Sequence, residues 1–261
     1  MILVTGATGF VGEKIMKICE NTVACPSLRG ASQDDISRII DQSGADIIVH
    51  TAAISDIGAC QADPDASYFA NVQIPLYLAR ASKGRKLICF SSDQVYSGLE
   101  DEGPYDESVV KGANIYAEHK IEMENRVLDI DPDAVMLRAQ WMYDLYYKKS
   151  NYFMNILNAK DKISFSSMQY RGVAYVREVA ENIENVARLC GGAYNFGSET
   201  KKSMYEITKE FLEFIGKDIP LEDAPKRHNL WLNCEKATKN GVVFSSVEDA
   251  LKKCAKDYKI V

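Results

Sequence analysis

MILVTGATGFVG, residues Met1–Gly12, is the stretch on which the fold turns. Its apolar run Ile2-Leu3-Val4 is too short for a helix and shows no polar alternation, which is the pattern of a strand buried on both faces. Glycines follow at Gly6, Gly9 and Gly12, and the spacing of Val11, Ile15 and Ile18 then starts an amphipathic helix. A strand, a glycine turn and a helix N-terminus together form a seat for a dinucleotide pyrophosphate. The turn lets backbone approach the phosphates, while free N–H groups and the helix dipole favour negative charge. The competing reading of the same residues is a tight strand-to-helix turn with no ligand.

The rest of the composition narrows the class. A chain of 261 residues, 46% of them hydrophobic, can bury a substantial core. A formal net charge of −6 and the lack of any basic run argue against a nucleic-acid partner. No segment approaches the ~20 apolar residues of a membrane span, and with a strand at the very start no signal peptide is expected. The seven cysteines form no C-x-x-C and suggest reduced thiols in a cytoplasm. His50, His119 and His228 show no metal-ligand spacing, so no metal site is expected.

Working outward from the loop, Asn21–Cys25 reads as a second strand ending at Pro26. Dinucleotide folds often place a carboxylate at this strand's end to hold the ribose 2′-hydroxyl. Here Pro26, Ser27, Leu28 and Arg29 follow, and an arginine in place of the acid leans toward NADP(H) over NAD(H); the alternative is a solvated loop arginine. Ser32 to Asp35 has capping-box form and opens a helix to about Gln42. Asp46–His50 is the next buried strand and runs into Thr51-Ala52-Ala53, small residues that let a flat ligand approach or simply pack against a helix.

A helical pattern over about Asp65–Ser82 carries Asn71 among apolar neighbours. Lys86–Phe90 is a strand that delivers Ser91–Tyr96 to the same sheet edge, and Ala134–Leu137 is another. Beyond Trp141 the pattern is less regular and rich in tyrosine (Tyr143, Tyr146, Tyr147, Tyr152, Tyr170), as in a smaller lobe. Val176–Leu189 reads as helix, Ala193–Phe196 as strand, Ser203 with Glu206 as a second capping box for a helix to about Ile215, Lys226–Asn233 as a returning loop and Ser246–Asp257 as a closing helix.

Chemistry enters with Tyr116 and Lys120 in a helical pattern reaching about Leu128. Four residues apart, they share a helix face. A free tyrosine has a pKa near ~10, and an adjacent ammonium would lower it toward the working range of a proton donor. Ser92, at a strand tip, could hold the same substrate oxygen. Alone, Y-x-x-x-K is common in a chain with 14 tyrosines, and a half-buried tyrosine beside a solvated lysine outweighs the chemical reading until the glycine loop and S-S-D-x-V-Y are set beside it.

Taken together, TGATGFVG at Thr5–Gly12, HTAA at His50–Ala53, Asn71, SSDQVY at Ser91–Tyr96, YAEHK at Tyr116–Lys120, RAQWMY at Arg138–Tyr143 and HNLWLNCEK at His228–Lys236 resemble one family. The chain is similar to the extended short-chain dehydrogenase/reductases that act on nucleotide sugars, most of all the dTDP-4-dehydrorhamnose reductase group. The resemblance implies an α/β fold: a Rossmann-type doubly wound parallel sheet with a smaller, discontinuous C-terminal substrate lobe. Residues 1–140 would bind the dinucleotide, joined by a return of about 173–197, and 141–261 would mostly bind substrate.

The implied activity is NAD(P)H-dependent reduction of a 4-keto group on a nucleotide-linked deoxy sugar. Tyr116 would protonate the keto oxygen, Lys120 would hold the nicotinamide ribose and depress the tyrosine pKa, and Ser92 would bond the same oxygen. Asp93 and Trp141, with Ser92, would touch the sugar. Gly6, Thr8, Gly9, Phe10, Val11, Gly12, Arg29, Ala52, Ala53, Ile54 and Asn71, with Tyr116 and Lys120, would serve the cofactor. Departures fall on the substrate side: Gln94 replaces a usual tyrosine, Gln169–Val173 follows the family's D-Q-x-G-x-P pattern only in part, and Arg227 replaces a proline. A 4-epimerase and a non-catalytic dinucleotide-binding regulatory subunit are the alternatives. Homodimers are common in the family, although no feature of this sequence marks a self-complementary surface.

Overall fold

A computed structural model describes residues 1–146, 148, 150–225 and 229–261. Tyr147, Lys226, Arg227 and His228, which entered the expectations above, lie outside the described residues. The first half runs β1 (Ile2–Thr5), α1 (Phe10–Ile18), β2 (Thr22–Ala24), α2 (Gln33–Ser43), β3 (Ile47–His50), α3 (Ile57–Ala62), α4 (Pro64–Tyr68), a π turn (Phe69–Gln73), α5 (Ile74–Ala81) and β4 (Lys86–Phe90). A 3₁₀ turn (Asp93–Tyr96), α6 (Ile115–Ile130) and β5 (Val135–Ala139) follow. Then come β6 (Trp141–Tyr143), α7 (Tyr152–Asn158), β7 (Ile163–Phe165), β8 (Val173–Tyr175), α8 (Val176–Glu181), α9 (Ile183–Val186) and β9 (Gly192–Phe196). The chain closes with α10 (Met204–Phe214), β10 (Leu221–Asp223), α11 (Glu235–Lys239) and α12 (Val247–Asp257).

The central sheet has six strands in the order β2-β1-β3-β4-β5-β9, all pairs parallel. The chain steps outward from β1 to β2, then crosses back to β3 on the other side of β1, which makes the gap between β1 and β3 a topological switch point. Side chains alternate across each strand, so one run of apolar residues feeds two cores. Ile2, Val4, Val49, Ile88 and Leu137 face Ile15 of α1 and Val179 and Ile183 of α8 and α9. Leu3, Ile48, Leu87 and Met136 face Ile36 and Ile40 of α2 and Met123 and Val127 of α6. A third core, around Tyr143, Phe153, Tyr175, Phe211 and Leu251, joins the β6–β8 pair to α7, α10 and α12.

Two expected helices are interrupted, each for a physical reason. The pattern over 65–82 contains Pro75, whose ring would clash with a carbonyl one turn earlier, and the chain widens into a π turn just before it. The pattern over 176–189 breaks at buried Asn182. Its amide turns aside to exchange hydrogen bonds with the backbone of Val243, donating at 2.7 Å and accepting at 2.9 Å. Both capping boxes form as expected, at Ser32 and at Ser203. Among the described residues no helix is long and apolar enough to cross a membrane.

α6 is locked to the sheet by a buried polar network. Arg138, on β5, donates to Glu124 through Nε at 3.0 Å and Nη2 at 2.7 Å, and Ser91 Oγ also donates to Glu124. Arg138 Nη1 reaches Tyr96 Oη at 2.8 Å, which in turn donates to Asn195 on β9 at 2.6 Å. Because both ions are almost fully buried, removing one strands the other. Arg138→Met is therefore expected to lower unfolding stability by about 3–5 kcal/mol. Replacing both partners, as in Arg138→Met with Glu124→Leu, should recover most of it. Denaturant titration of the three proteins tests this.

Candidate functional site

The glycine loop is shaped by close approach. Gly6 has φ +66°, and a Cβ there would lie 2.9 Å from Ala52 N. The ends of β1 and β3 thus meet backbone to backbone at the switch point. A Cβ on Gly12 would come within 2.1 Å of Gly6 O, so α1 can start only with glycine in that position. Gly9 N donates to Gly6 O at 2.8 Å, and Gly9 caps α1 with no side-chain hydrogen bond, which leaves the N-terminal N–H groups to a ligand. Thr8 and Gly9 are exposed, and Phe10 and Val11 half-buried, along this edge. The cradle fits a dinucleotide pyrophosphate.

The expected cofactor residues on β3 and beyond are held in place by Asn71. It is fully buried in the π turn; its Oδ1 accepts from Ile54 N at 3.2 Å, and its Nδ2 donates to Ile54 O at 2.9 Å and Ser67 Oγ at 3.2 Å. Asn71 thus shapes the Ala52–Ile54 segment through its backbone, in place of the direct contact expected from the sequence. Arg29 is exposed on the loop after β2, where its N–H donates to Ser27 Oγ at 3.3 Å.

Ser92, Asp93, Tyr116 and Trp141 come together, with Phe10, Gln140 and Arg171, around a cavity of about 360 Å³. A larger hollow of about 550 Å³, between Glu199–Lys202, Trp231 and Glu248, contains none of the expected site residues. Asn114 caps α6 by accepting from Ala117 N, which sets Tyr116 in the first turn and Lys120 one turn below it. Lys120 is 1% exposed, and its Nζ donates to Phe90 O, at the end of β4, at 2.8 Å.

The expected depression of the tyrosine pKa by Lys120 does not hold in this geometry. Burial pushes the Tyr116 phenol above its ordinary value, against a hydrogen bond with Ser92 that acts the other way. Lys120 gives one of its three N–H groups to Phe90 O and is itself lowered to about 8 by burial. His50, joined to Thr5 Oγ1 at 2.7 Å, is likewise lowered to about 3 by burial and stays neutral. Tyr116 is consequently a protonated phenol at neutral pH, an acid rather than a base.

Trp141, on the wall of the same cavity, is itself held by two neighbours. One face of its indole carries the Arg171 guanidinium, 5.4 Å from the ring centroid, and Tyr152 packs edge-on at 5.8 Å. Arg171 Nη2 in turn donates to Asp93 at 2.7 Å. The sequence reading missed Arg171, Gln140 and the Glu124–Arg138 pair as parts of the site. Arg171 was visible only as one member of the irregular Gln169–Val173 segment.

The buried ammonium of Lys120 gives a sign for stability against pH. The folded chain releases this proton near pH 8 and the unfolded chain near the ordinary 10.5, so the unfolded state binds more protons between them and stability rises with pH over that window. Below pH 8 the whole penalty is present. Lys120→Met is expected to raise stability at pH 7 by up to about 3 kcal/mol, with the gain shrinking toward pH 10.5. Thermal melts of both proteins from pH 7 to 10.5 measure it.

Comparison with known proteins follows the same geometry. The RmlD substrate binding domain pattern matches residues 1–260. Methionine adenosyltransferase 2 subunit beta of Xenopus laevis is 25% identical, over 92% of this chain and 82% of its own. The dTDP-4-dehydrorhamnose reductase of Aggregatibacter actinomycetemcomitans is 23% identical, over 86% of this chain and 82% of its own. The solved structure of Bacillus anthracis dTDP-4-dehydrorhamnose reductase in complex with NADP has a TM-score of 0.86 at 20% identity, covering 98% of this chain and 97% of that one. With a parallel sheet of this order and a pattern matched from end to end, the chain belongs to the RmlD substrate-binding-domain family, within the extended short-chain dehydrogenase/reductases.

Proposed function

We propose that this protein reduces the 4-keto group of a nucleotide-linked deoxy sugar, as a dTDP-4-dehydrorhamnose reductase does, with a nicotinamide dinucleotide as reductant. The observation that carries the reading is the shared cavity: Ser92 and Tyr116, two hydroxyl donors, line it together with Phe10, the first residue of α1 within the glycine cradle. The bound dinucleotide supplies a hydride. Tyr116, kept protonated by burial, donates its proton to the keto oxygen, and Ser92 donates a hydrogen bond to the same atom. Lys120, one turn below Tyr116, ties α6 to the end of β4 and would hold the nicotinamide ribose with its remaining N–H groups. Arg29, exposed after β2 where an acid is absent, favours NADP(H).

A second reading rests on one finding, the 25% identity to methionine adenosyltransferase 2 subunit beta. On that reading the chain binds a dinucleotide and serves a partner enzyme without turnover. The Tyr116–Ser92 geometry favours the reductase.

Purified protein with NADPH and dTDP-4-dehydrorhamnose is expected to show loss of reduced-cofactor absorbance. Tyr116→Phe should lower kcat by about 10²–10⁴-fold, the scale of a lost general acid. A mutant that turns over at the wild-type rate removes Tyr116 from the mechanism. Reduction should also decline as pH rises through about 8, where Lys120 loses its charge, and a pH–rate profile reads this directly. Tight NADPH binding with no turnover on any 4-keto nucleotide sugar would favour the subunit reading.

A further inference from the structure

The Ser92 hydroxyl has a single proton to give, and more than one neighbour that can take it. Gln94 N donates to Ser92 Oγ at 3.2 Å and fixes the oxygen at the head of the 3₁₀ turn. Beside it stand the Tyr116 phenol and the Asp93 carboxylate, and all three residues line the same cavity. An ionised carboxylate is a stronger acceptor than a neutral oxygen. Asp93 therefore competes with any substrate oxygen for the Ser92 proton.

The distances show which way that competition goes. Arg171 Nη2 donates to Asp93 Oδ2 at 2.7 Å, at the short end of charge-assisted bonds. Ser92 Oγ stands 3.3 Å from Asp93 Oδ1, beyond the ~2.5–3.0 Å usual for a hydroxyl donor. The carboxylate is bound to the guanidinium far more tightly than to the serine. Arg171 itself has little latitude. Its segment is pinned by Tyr170 N donating to Asn229 Oδ1 at 2.9 Å and by Leu230 N donating to Tyr170 O at 3.0 Å, which pairs Arg171 with Leu230. Its guanidinium rests on the Trp141 ring, 5.4 Å from the centroid. The Arg171 and Asp93 side chains are only 12% and 4% exposed, so water screens the pair little.

We infer that Arg171 is a positioning residue for the reaction: it draws the Asp93 carboxylate off Ser92, so that the Ser92 proton stays available to the substrate oxygen. This role rests on the reductase reading above, in which Ser92 and Tyr116 donate to one keto oxygen. The guanidinium also offsets the negative charge of Asp93 beside an oxygen that becomes more negative as hydride arrives. Trp141 is the floor that keeps Arg171 within reach of Asp93.

A double-mutant cycle tests this. Removing an oxyanion donor outright costs about 10²–10³-fold in kcat. Arg171→Met leaves Ser92 in place but lets Asp93 hold its proton, and should lower kcat on dTDP-4-dehydrorhamnose by about 10–100-fold. Asparagine is a neutral, weaker acceptor, so in an Asp93→Asn background the same substitution should cost less than about 3-fold. A direct contact of Arg171 with the sugar would persist in that background, and an equal loss in both backgrounds overturns the proposal. Melting curves of the four proteins establish that each is folded in the assay. Arg171→Gln, which keeps an N–H group and loses the charge, replaces Arg171→Met in the cycle if the latter does not fold, with the same sign expected. Calorimetry reads the cycle without turnover. Titrated into protein saturated with NADP⁺, dTDP-L-rhamnose should bind Arg171→Met about 10-fold more weakly than wild type, and the two Asp93→Asn proteins about equally. That binding pattern with no turnover by the wild type brings down the reductase reading and leaves the hold of Arg171 on Asp93 standing. Turnover by the wild type with an undiminished Arg171→Met does the reverse, and a wild type that neither turns over nor binds the sugar brings down both.

Discussion

The buried ion pair between Arg138 and Glu124 joins the pieces on which the site depends. Glu124 lies on the same helix as Tyr116 and Lys120, Arg138 lies on β5, and Ser91, the neighbour of Ser92, donates to the same carboxylate. One interaction therefore sets the distance between the helix that carries the phenol and the strand tip that carries the serine. A buried ion pair is seldom a source of net stability, because desolvating two charges offsets their attraction. Its value here is positional: α6 cannot rotate or slide without exposing an uncompensated charge to the core. The same network reaches β9 through Tyr96 and Asn195, which ties the late-returning strand to the site.

Burial, more than neighbouring charge, sets the protonation states around the cavity. His50 stays neutral, Lys120 is lowered to about 8 and Tyr116 is raised, each with desolvation as the largest cause. A phenol held neutral suits a reaction in which the enzyme delivers a proton, since the group starts in the form that the chemistry consumes. Keeping an ammonium beneath it costs stability, the trade common at sites where a charge is retained for function.

The substrate side shows a second hierarchy of support. Trp141 carries Arg171, Arg171 donates to Asp93, and Asp93 lies beside Ser92, with a hydrogen bond from Ser92 Oγ at 3.3 Å. The departures from the family's pattern at Gln169–Val173 thus fall where the chain builds this wall. Conversely, the glycine cradle follows the pattern throughout, and its steric demands at Gly6 and Gly12 explain why it can hardly do otherwise.

Much of the fold was legible in the sequence. The buried strands, the glycine turn, the two capping boxes and the shared helix face of Tyr116 and Lys120 all follow from local periodicity and turn chemistry, which act over a few residues. Local pattern also foresaw that strand tips and the glycine loop meet at one sheet edge, because parallel strands deliver their C-terminal ends together. What it could not show depends on partners distant in the chain. Arg171 finds Asp93 across 78 positions, Gln140 finds its slot between Gly172 and Gly197, and Asn71 turns inward to the Ile54 backbone. The protonation of Tyr116 and Lys120 belongs to the same class, since desolvation is a property of what surrounds a group and not of its neighbours in sequence. The sequence by itself determined which elements form and which of their ends converge. Only the packed structure decided which side chains face the cavity and which charges they carry.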